Sequence, residues 1–213
     1  MEGIPPLRFA SVGMTKKRIP LLPALSSRQA GMTRGFNMNK KTQKELMQIV
    51  EKNYEEIAEH YSETRKKPVW PELDSILAQV KPGEAVLDVG CGNGRLLKAL
   101  ENKDIKYIGV DNSENFLRIA REREYEIKKE NWQFRKGDIL ALGELKEFDF
   151  DYVFSIAVLQ HIPSRELQIK ALKQLKNKVK DGGKIIISVW NMWSKTWEKK
   201  NFRALIWKFY LLK

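Results

Sequence analysis

VLDVGCGNG, residues 86–94, joins an apolar, strand-like run to a segment of helical character. Its glycines, Gly90, Gly92 and Gly94, let the backbone turn at positive φ and let a ligand approach without a Cβ in the way. Asp111 follows Gly90 by 21 residues, at the end of a second apolar run. An acid at the tip of the next strand, about 20 residues after a glycine turn, is placed to bind ribose hydroxyls. The pattern therefore predicts a nucleoside-binding βαβ unit.

The glycine spacing and Asp88 narrow the choice of nucleoside. A dinucleotide turn reads G-x-G-x-x-G and leads a pyrophosphate to a helix N-terminus, whereas this turn reads G-x-G-x-G. A carboxylate at the mouth of the turn, from Asp88, would repel a pyrophosphate and attract a cation. The alternative is that the glycine turn has only a structural function. The strand, the helix, Asp88 and Asp111 nevertheless occur together at the spacing of a nucleoside-binding unit. We therefore expect a nucleoside with a positively charged amino-acid end.

Length and composition fit one domain with a sizeable core. The chain has 213 residues, of which 42% are hydrophobic. No apolar run approaches the roughly 18 residues that span a bilayer. The single cysteine, Cys91, excludes an intrachain disulfide and fits a reducing, cytoplasmic compartment. Because Cys91 lies in the glycine turn, we interpret it as a small packing residue rather than a nucleophile. The two histidines show no metal-ligand spacing.

The net charge is +12, and residues 1–40 hold seven Lys or Arg and only one acid. A basic body is compatible with a polyanionic substrate such as RNA, and equally with an ordinary lysine-rich surface. Proline-rich and without periodicity, residues 1–40 are predicted to be a disordered basic extension. Their composition resembles a transit peptide. A translation start at Met38 or Met32 is the interpretation that we favour.

Alternating periodicities predict an α/β fold. We expect helices over residues 42–64, 72–80, 113–129 and 165–179. We expect strands over residues 85–89, 107–110, 132–135, 150–157 and 184–190. Continuous apolar strands between helices indicate a doubly wound, mostly parallel sheet in a domain spanning residues 41–192. For residues 193–213 the aromatic spacing predicts an amphipathic helix, as a lid or a truncated end.

D-x-G-x-G-x-G, read from Asp88 to Gly94, resembles the turn of the class I S-adenosylmethionine-dependent methyltransferases. The resemblance implies their Rossmann-like fold, with the turn against the methionine end of the cofactor. Asp111 would hold the ribose, and Asp138 with the Ile139 amide would read the adenine edge; as alternatives, each acid is a turn or helix cap. The cofactor-binding residues so implied are Asp88, Gly90, Cys91, Gly92, Gly94, Asp111, Asn112, Asp138, Ile139 and Tyr61. Sheets of that family usually end in two further strands, of which the last is antiparallel. The short segment after residue 192 suggests neither strand, so the last two strands are expected to be missing.

The chain further resembles the tRNA wobble-uridine carboxymethyl methyltransferases, which methylate a carboxylate on the wobble uridine. The stretches that carry this resemblance are residues 57–65, 67–71, 155–161 and 189–190. It implies that Tyr61 and Arg65 close over the cofactor, with Arg65 near its carboxylate or that of the substrate. His161 would then orient the acceptor, because an ionised carboxylate needs no general base. A solvated charge for Arg65 and a packing position for His161 are the alternatives.

Departures from those enzymes keep other functions open. Where the eukaryotic enzymes have paired histidines this chain has Gln160-His161, and where they have an arginine pair it has Leu167-Gln168. Val69 is an extra residue beside Trp70. One alternative is a small-molecule O- or C-methyltransferase, in which His161 is the general base. Another is a non-catalytic module that keeps the fold and binds a partner.

Partners follow from the same resemblance. Family members acting on tRNA often need a small zinc-binding activator subunit, and the apolar segment 193–213 is a candidate docking site for one. The expected partners are therefore tRNA and an activator, or a small-molecule substrate in the alternative.

Overall fold

A computed structural model describes residues 38–64, 69–190 and 207–212. The expected disordered extension falls almost entirely outside these residues, as do Arg65 and most of the expected C-terminal helix. The helices are α1 (Lys40–Thr64), α2 (Pro71–Leu77), α3 (Leu97–Leu100), α4 (Glu114–Ile127) and α5 (Arg165–Lys176). The strands are β1 (Ala85–Val89), β2 (Lys106–Asp111), β3 (Trp132–Lys136), β4 (Phe150–Ile156), β5 (Val179–Trp190) and β6 (Trp207–Leu212).

One sheet of six strands runs in the order β3-β2-β1-β4-β5-β6. The first five strands in this order are parallel, and β6 alone is antiparallel, to β5. Chain order reverses direction at β1, so the loops after β1 and β4 diverge at one edge and open a crevice there. The expected doubly wound, mostly parallel sheet is confirmed.

Apolar side chains on the two faces of the sheet form two separate cores, as an α/β sheet covered on both sides requires. On one face Leu73 of α2, Leu97 of α3 and Leu117 of α4 pack on β1 and β2. On the other face Ala171 and Leu175 of α5 pack on β1, β4 and β5. The strands are therefore held rigidly, and their carboxyl ends present loops in a fixed arrangement.

The C-terminal expectations need correction. Residues 207–212 form β6, not part of an amphipathic helix, and they add the antiparallel strand that the sequence did not suggest. The segment WKFYLL is rich in residues that favour strands, and pairing with β5 covers an otherwise open sheet edge. The helix expected over residues 165–179 ends at Lys176, and Val179 already belongs to β5. No helix in the described part of the chain has the length and apolar character that crossing a bilayer requires.

Candidate functional site

All three glycines of the turn after β1 have positive φ, at 75°, 52° and 71° for Gly90, Gly92 and Gly94. Their surroundings differ. A Cβ on Gly90 would lie 2.3 Å from Cγ2 of Val158, so this glycine lets the turn pack against the loop after β4. A Cβ on Gly92 would meet no described atom closer than Cδ1 of Phe116, at 4.0 Å. Gly92 is therefore the position at which a ligand can reach the main chain.

Hydrogen bonds inside the protein already occupy the amides of Gly90, Cys91, Gly92 and Gly94 in this turn. Gly90 and Cys91 both donate to the carbonyl of Val110, at 2.7 and 3.1 Å. The Gly92 amide donates to Oδ2 of Asp111 at 2.8 Å. A phosphate site at a glycine turn needs such amides pointing at the ligand. The turn therefore favours a nucleoside without phosphates, as its spacing predicts.

Asp111 connects three loops at the carboxyl edge of the sheet. Its carboxylate accepts hydrogen bonds from the amides of Gly92 in the β1 turn and Ser113 at the start of α4. Its backbone carbonyl accepts from Gly137, in the loop after β3, at 2.9 Å. Burial raises the pKa of Asp111, and the amides of Ser113, Gly92 and Asn112 oppose that rise. The sequence indicates the acid but not its part in joining the loops.

Asp88 does not lie at the mouth of the turn, which corrects the sequence-based argument. Its side chain is only 2% exposed and accepts a hydrogen bond from the hydroxyl of Tyr107 on β2, at 2.8 Å. Burial raises the pKa of Asp88 to about 7, although the bond from Tyr107 opposes the rise. The occupied amides of the turn, rather than an exposed carboxylate, are what disfavour a phosphate here.

The raised pKa of Asp88 predicts that stability falls as pH rises. An unfolded aspartate has a pKa near 4, so between about pH 4 and pH 7 the native state binds the extra proton. The stabilising contribution is complete below this window and is lost as pH rises through it. Between pH 5 and pH 8 we expect the wild-type free energy of unfolding to fall, relative to Asp88→Asn, by about 2.5 kcal/mol. Urea unfolding at the two pH values measures this, and equal falls in both proteins would contradict it.

The side chain of Cys91 packs inside the protein. The thiol is 5% exposed, and burial holds its pKa well above the usual range, so it stays protonated. Its Sγ would lie 3.0 Å from a Cβ on Gly109, which places Cys91 against β2. The structure therefore supports packing over a nucleophilic function, because the thiolate is the nucleophilic form.

Asp138 and Ile139 form the turn after β3. Oδ1 of Asp138 accepts from the Leu140 amide at 2.8 Å, an Asx-type turn that fixes the loop. The Asp138 side chain is half-buried, and Ile139 is 7% exposed within the second core. The turn contact leaves further lone pairs on the Asp138 carboxylate, so it does not preclude a contact with a ligand.

Helix α1 crosses the same edge and brings an aromatic cluster to it. Tyr61 meets Phe116 of α4 edge-on, at 5.5 Å between ring centroids and 88° between planes. Tyr54 lies 6.2 Å from Phe116 and 5.0 Å from the ring of His161, which follows β4. Helix α1 thus joins α4 and the β4 loop, and it brings Tyr61 and His161 to the same cluster.

Two polar contacts fix α1 on α4. The Glu55 carboxylate accepts from the Asn115 amide at 3.2 Å, and its carbonyl accepts from Nδ2 of Asn115 at 3.1 Å. Glu59 forms an ion pair with Arg118. Between these contacts Ala58 is buried against Phe116. The helix is therefore seated on the domain rather than hanging over it.

The β4 loop begins with a residue of unusual backbone conformation. Ala157 has φ 62°, a left-handed value that costs a non-glycine residue free energy. Its amide donates to the carbonyl and to Oγ of Ser188, both at 3.0 Å, which holds the conformation in place. Such outliers concentrate at functional sites.

His161 lies in a short 3-10 turn and is half-buried. Burial lowers its pKa, so the imidazole is neutral at physiological pH. Sequence reasoning found His161 and Tyr61 but missed Tyr54, Glu55 and Phe116. A signal for Tyr54 was available, because it stands seven residues before Tyr61 and thus shares its helix face. Arg65 lies outside the described residues.

The fold and the site together are those of a class I methyltransferase domain. Strand order reverses at β1, the amides of the glycine turn point inward, and an acid ends β2. A family model described as "Methyltransferase domain" matches residues 80–209, and the chain belongs to that family. S-adenosylmethionine is the cofactor of such domains, and the open approach at Gly92 beside Asp111 fits a nucleoside with no phosphate.

Curated relatives point to one kind of methyltransferase. Proteins named tRNA (carboxymethyluridine(34)-5-O)-methyltransferase match from Xenopus tropicalis (40% identity; 67% of this chain, 21% of the relative), Saccharomyces cerevisiae (35%; 73% and 52%) and Arabidopsis thaliana (34%; 66% and 32%). The chain thus spans between about a fifth and half of the length of these relatives.

Solved structures show the same fold. A chain in the complex between the Haloferax volcanii Trm112 methyltransferase activator and a candidate methyltransferase superposes with a TM-score of 0.54 at 24% identity, covering 66% of this chain and 60% of that one. The [4+2]-cyclase SpnF superposes with a TM-score of 0.57 at 20% identity, covering 67% and 60%. Because the second protein is named as a cyclase, the fold alone does not fix the reaction.

Proposed function

We propose that this chain transfers a methyl group from S-adenosylmethionine to the carboxylate of a carboxymethylated wobble uridine in tRNA. The observation that carries the proposal is the 34–40% identity to three relatives that are all named tRNA (carboxymethyluridine(34)-5-O)-methyltransferase. The inward-turned amides of the glycine turn add support, because they suit a cofactor without phosphates.

The cofactor roles that we propose follow the loops at the carboxyl edge. Asp111 holds the ribose hydroxyls with the lone pairs that the Gly92 and Ser113 amides leave, and Asn112 lies beside it. Asp138 and the Ile139 amide read the adenine edge. The proposed positions around the methionine end are the backbone of Gly90, Cys91, Gly92 and Gly94 and the ring of Tyr61. Asp88 is buried behind the turn and supports it through Tyr107.

A bound S-adenosylmethionine supplies an activated methyl group on a sulfonium, so the chain's own residues need mainly to align the acceptor. The carbon–sulfur bond breaks as a carbon–oxygen bond forms, and no proton moves. We propose that His161, whose pKa burial lowers, orients the acceptor by a hydrogen bond in its neutral form. Arg65 is proposed to hold a carboxylate of the cofactor or of the substrate. Tyr61 and Phe116 exclude water from this part of the edge.

A labelled-methyl assay tests the proposal. The full chain is incubated with methyl-labelled cofactor and total tRNA from a strain lacking the wobble-uridine enzyme. We expect label in tRNA that mild alkali releases as methanol, because a methyl ester is hydrolysed whereas N- and C-methyl groups are stable. A matched tRNA pool from a strain with the enzyme is the control and should accept little label. Alkali-stable label in RNA, or label in small molecules only, would contradict the proposed acceptor.

A small-molecule acceptor is the second candidate, and one contact favours it. Gln168 stands where the tRNA enzymes have an arginine pair, and its Nε2 donates to the carbonyl of Ile162 at 3.0 Å. The same nitrogen also donates to the carbonyl of Leu159 at 3.4 Å, so both of its protons are directed into the β4 loop rather than toward a phosphate. In the labelled-methyl assay, addition of a cell extract of small metabolites distinguishes this candidate.

We also propose a protein partner and a cellular compartment for this chain, on the same grounds of similarity. We propose that a small activator subunit binds this chain, as the Trm112 activator does with a methyltransferase of the same fold in the Haloferax volcanii complex. Because residues 207–212 form a strand of the sheet, deleting the C-terminal segment would disturb the fold as well as any docking site. Copurification of the full chain with a co-expressed activator, at a fixed ratio, is the cleaner test. A cytoplasmic location agrees with a tRNA substrate.

A further inference from the structure

Helix α5 carries a row of lysines on the face that the core leaves exposed. Ala171 and Leu175 pack the other face of the helix against the sheet. Lys170, Lys173 and Lys176 follow one another at intervals of three residues, and all three are exposed. Residues three apart are neighbours on a helix surface, with about 5–6 Å between their Cβ atoms. These three side chains therefore form one continuous surface, which we call the lysine stripe.

The charge of α5 differs from that of the other long helices. α5 has four Lys or Arg and one acid, whereas α4 has three and four, and α1 has four and six. Lys41 and Lys52 of α1 form ion pairs with the acids four residues further on. Among the described residues, no carboxylate forms an ion pair with the lysine stripe. The stripe thus presents three like charges that the described acids do not pair with.

Helix stability accounts for only part of this arrangement. Lys173 and Lys176 lie in the last turn of α5, where a cation interacts favourably with the helix dipole. Lys170 lies outside that turn, and like charges at this spacing repel one another. A row of unpaired charges of one sign is typical of a surface that binds a polyanion, because it raises the local concentration of the opposite charge.

The lysine stripe leads away from the candidate site. α5 begins at Arg165, in the segment that directly follows the β4 loop and its His161. Nε2 of Gln168 donates to the carbonyls of Leu159 and Ile162, which fixes the first turn of α5 to that loop. From its first to its last residue the helix rises about 16 Å. A ligand that places one group at the β4 loop and also contacts the stripe must therefore be extended, as a nucleic acid is.

We propose that the lysine stripe of α5 binds the phosphate backbone of the RNA whose base is methylated at the carboxyl edge of the sheet. The inference rests on the proposed function, because it takes the bound RNA to be the substrate. The stripe supplies positive charge just beyond Leu167-Gln168, where the arginine pair of the tRNA enzymes is absent. An anionic membrane fits less well, because a helix that binds a membrane surface inserts its apolar face, and the apolar face of α5 is buried in the core.

Salt-dependent binding tests this surface without reference to methylation. Fluorescently labelled total tRNA is titrated with the full wild-type chain and with the triple variant Lys170→Gln/Lys173→Gln/Lys176→Gln, at several salt concentrations. We expect the variant to bind about tenfold more weakly at low salt. The slope of log affinity against log salt concentration should also become shallower by about two to three, because each lost phosphate contact releases about one counterion fewer.

Lys81→Gln/Lys106→Gln/Lys128→Gln is the matched control, with the same change in net charge. These exposed lysines lie near the amino ends of β1, β2 and β3, opposite the edge that carries the candidate site. The control variant should bind tRNA as the wild type does. Equal losses in both triple variants would overturn the inference, as would an unchanged affinity and slope in the α5 variant. Binding of the wild type to phosphatidylserine vesicles but not to tRNA would overturn it as well.

Kinetics test the connection to the reaction. Contacts remote from the reacting atoms are the same in the ground state and the transition state, so the α5 variant should raise KM for tRNA by about tenfold and leave kcat unchanged. A lowered kcat with an unchanged KM would overturn the inference. A wild-type chain that methylates no tRNA would overturn the proposed function, whereas weaker tRNA binding by the α5 variant alone would still support the lysine stripe as an RNA-binding surface.

Discussion

Replacing Asp111 by asparagine is expected to weaken binding of S-adenosylmethionine by about a hundredfold. The carboxylate accepts from two backbone amides, so an asparagine would turn its NH₂ group toward one of these donors. Two charge-assisted hydrogen bonds to the ribose would weaken as well, each worth about 1.5–3 kcal/mol. The loops after β1 and β2, which Asp111 joins, would separate at the point where the ribose is proposed to bind.

Isothermal calorimetry measures this change, with Asp104→Asn as the matched control. Asp104 is an exposed acid just before the amino end of β2, so the same substitution there leaves the carboxyl edge untouched. Wild-type affinity is expected in Asp104→Asn. Affinity within threefold of the wild type in Asp111→Asn would show that this carboxylate does not hold the cofactor.

Replacing Gly92 by alanine is expected to reduce cofactor affinity by about tenfold to a hundredfold. Alanine at φ 52° costs about 1 kcal/mol of backbone strain. The new methyl group would meet no atom of the described residues closer than 4.0 Å, so that part of the protein can accept it. It would instead stand where the cofactor approaches the main chain, and such overpacking typically costs about 1–3 kcal/mol.

Gly83→Ala is the control that separates backbone strain from obstruction of the cofactor site. Gly83 has φ 83°, and a Cβ there would meet no described atom within 4 Å, yet it lies before the amino end of β1. Both variants should lose similar stability in urea unfolding, and only Gly92→Ala should lose affinity in calorimetry. Equal affinities in the two variants would place the cofactor away from this turn.

The first five strands and their order along the chain were predictable because most are apolar runs bounded by polar or glycine-rich residues. β1, β3 and β4 begin at the expected residues, and β3 and β4 differ by one residue at their ends. β2 is one residue longer at both ends, β5 begins at Val179 rather than residue 184, and β6 was not predicted. Ser113 caps α4 as expected, accepting from the Phe116 amide at 3.2 Å. These features depend on a residue's near neighbours, which the sequence displays directly.

Helix length and the orientation of side chains were less predictable, because distant contacts decide them. Lys178 donates to the carbonyls of Leu145 and Glu147 from beyond the end of α5, where the pattern still suggested helix. Ile49 and Ile57 recur at helical spacing in α1 but remain 54% and 42% exposed, whereas Ser62 is buried. Periodicity identifies a helix, but the partner surface determines which face is covered.

Within the site, the sequence showed the residues at the strand ends but not the pairs that they form. Asp88 meets Tyr107 across 19 residues, and Tyr54 meets His161 across 107. The first pair buries a carboxylate that the sequence suggested was exposed. The second is separated by the whole of β1 to β4, so only the folded sheet brings it together.

We propose that the crevice at the carboxyl edge of the sheet, beside the loops after β1 and β2, binds a sulfonium nucleoside and not a phosphate-bearing one. Calorimetric titration of the full chain with S-adenosylmethionine, and separately with ATP, tests it most directly. We predict saturable heat with S-adenosylmethionine that S-adenosylhomocysteine abolishes by competition, and no saturable heat with ATP. Binding of ATP by a folded chain that gives no heat with S-adenosylmethionine or S-adenosylhomocysteine would contradict the claim.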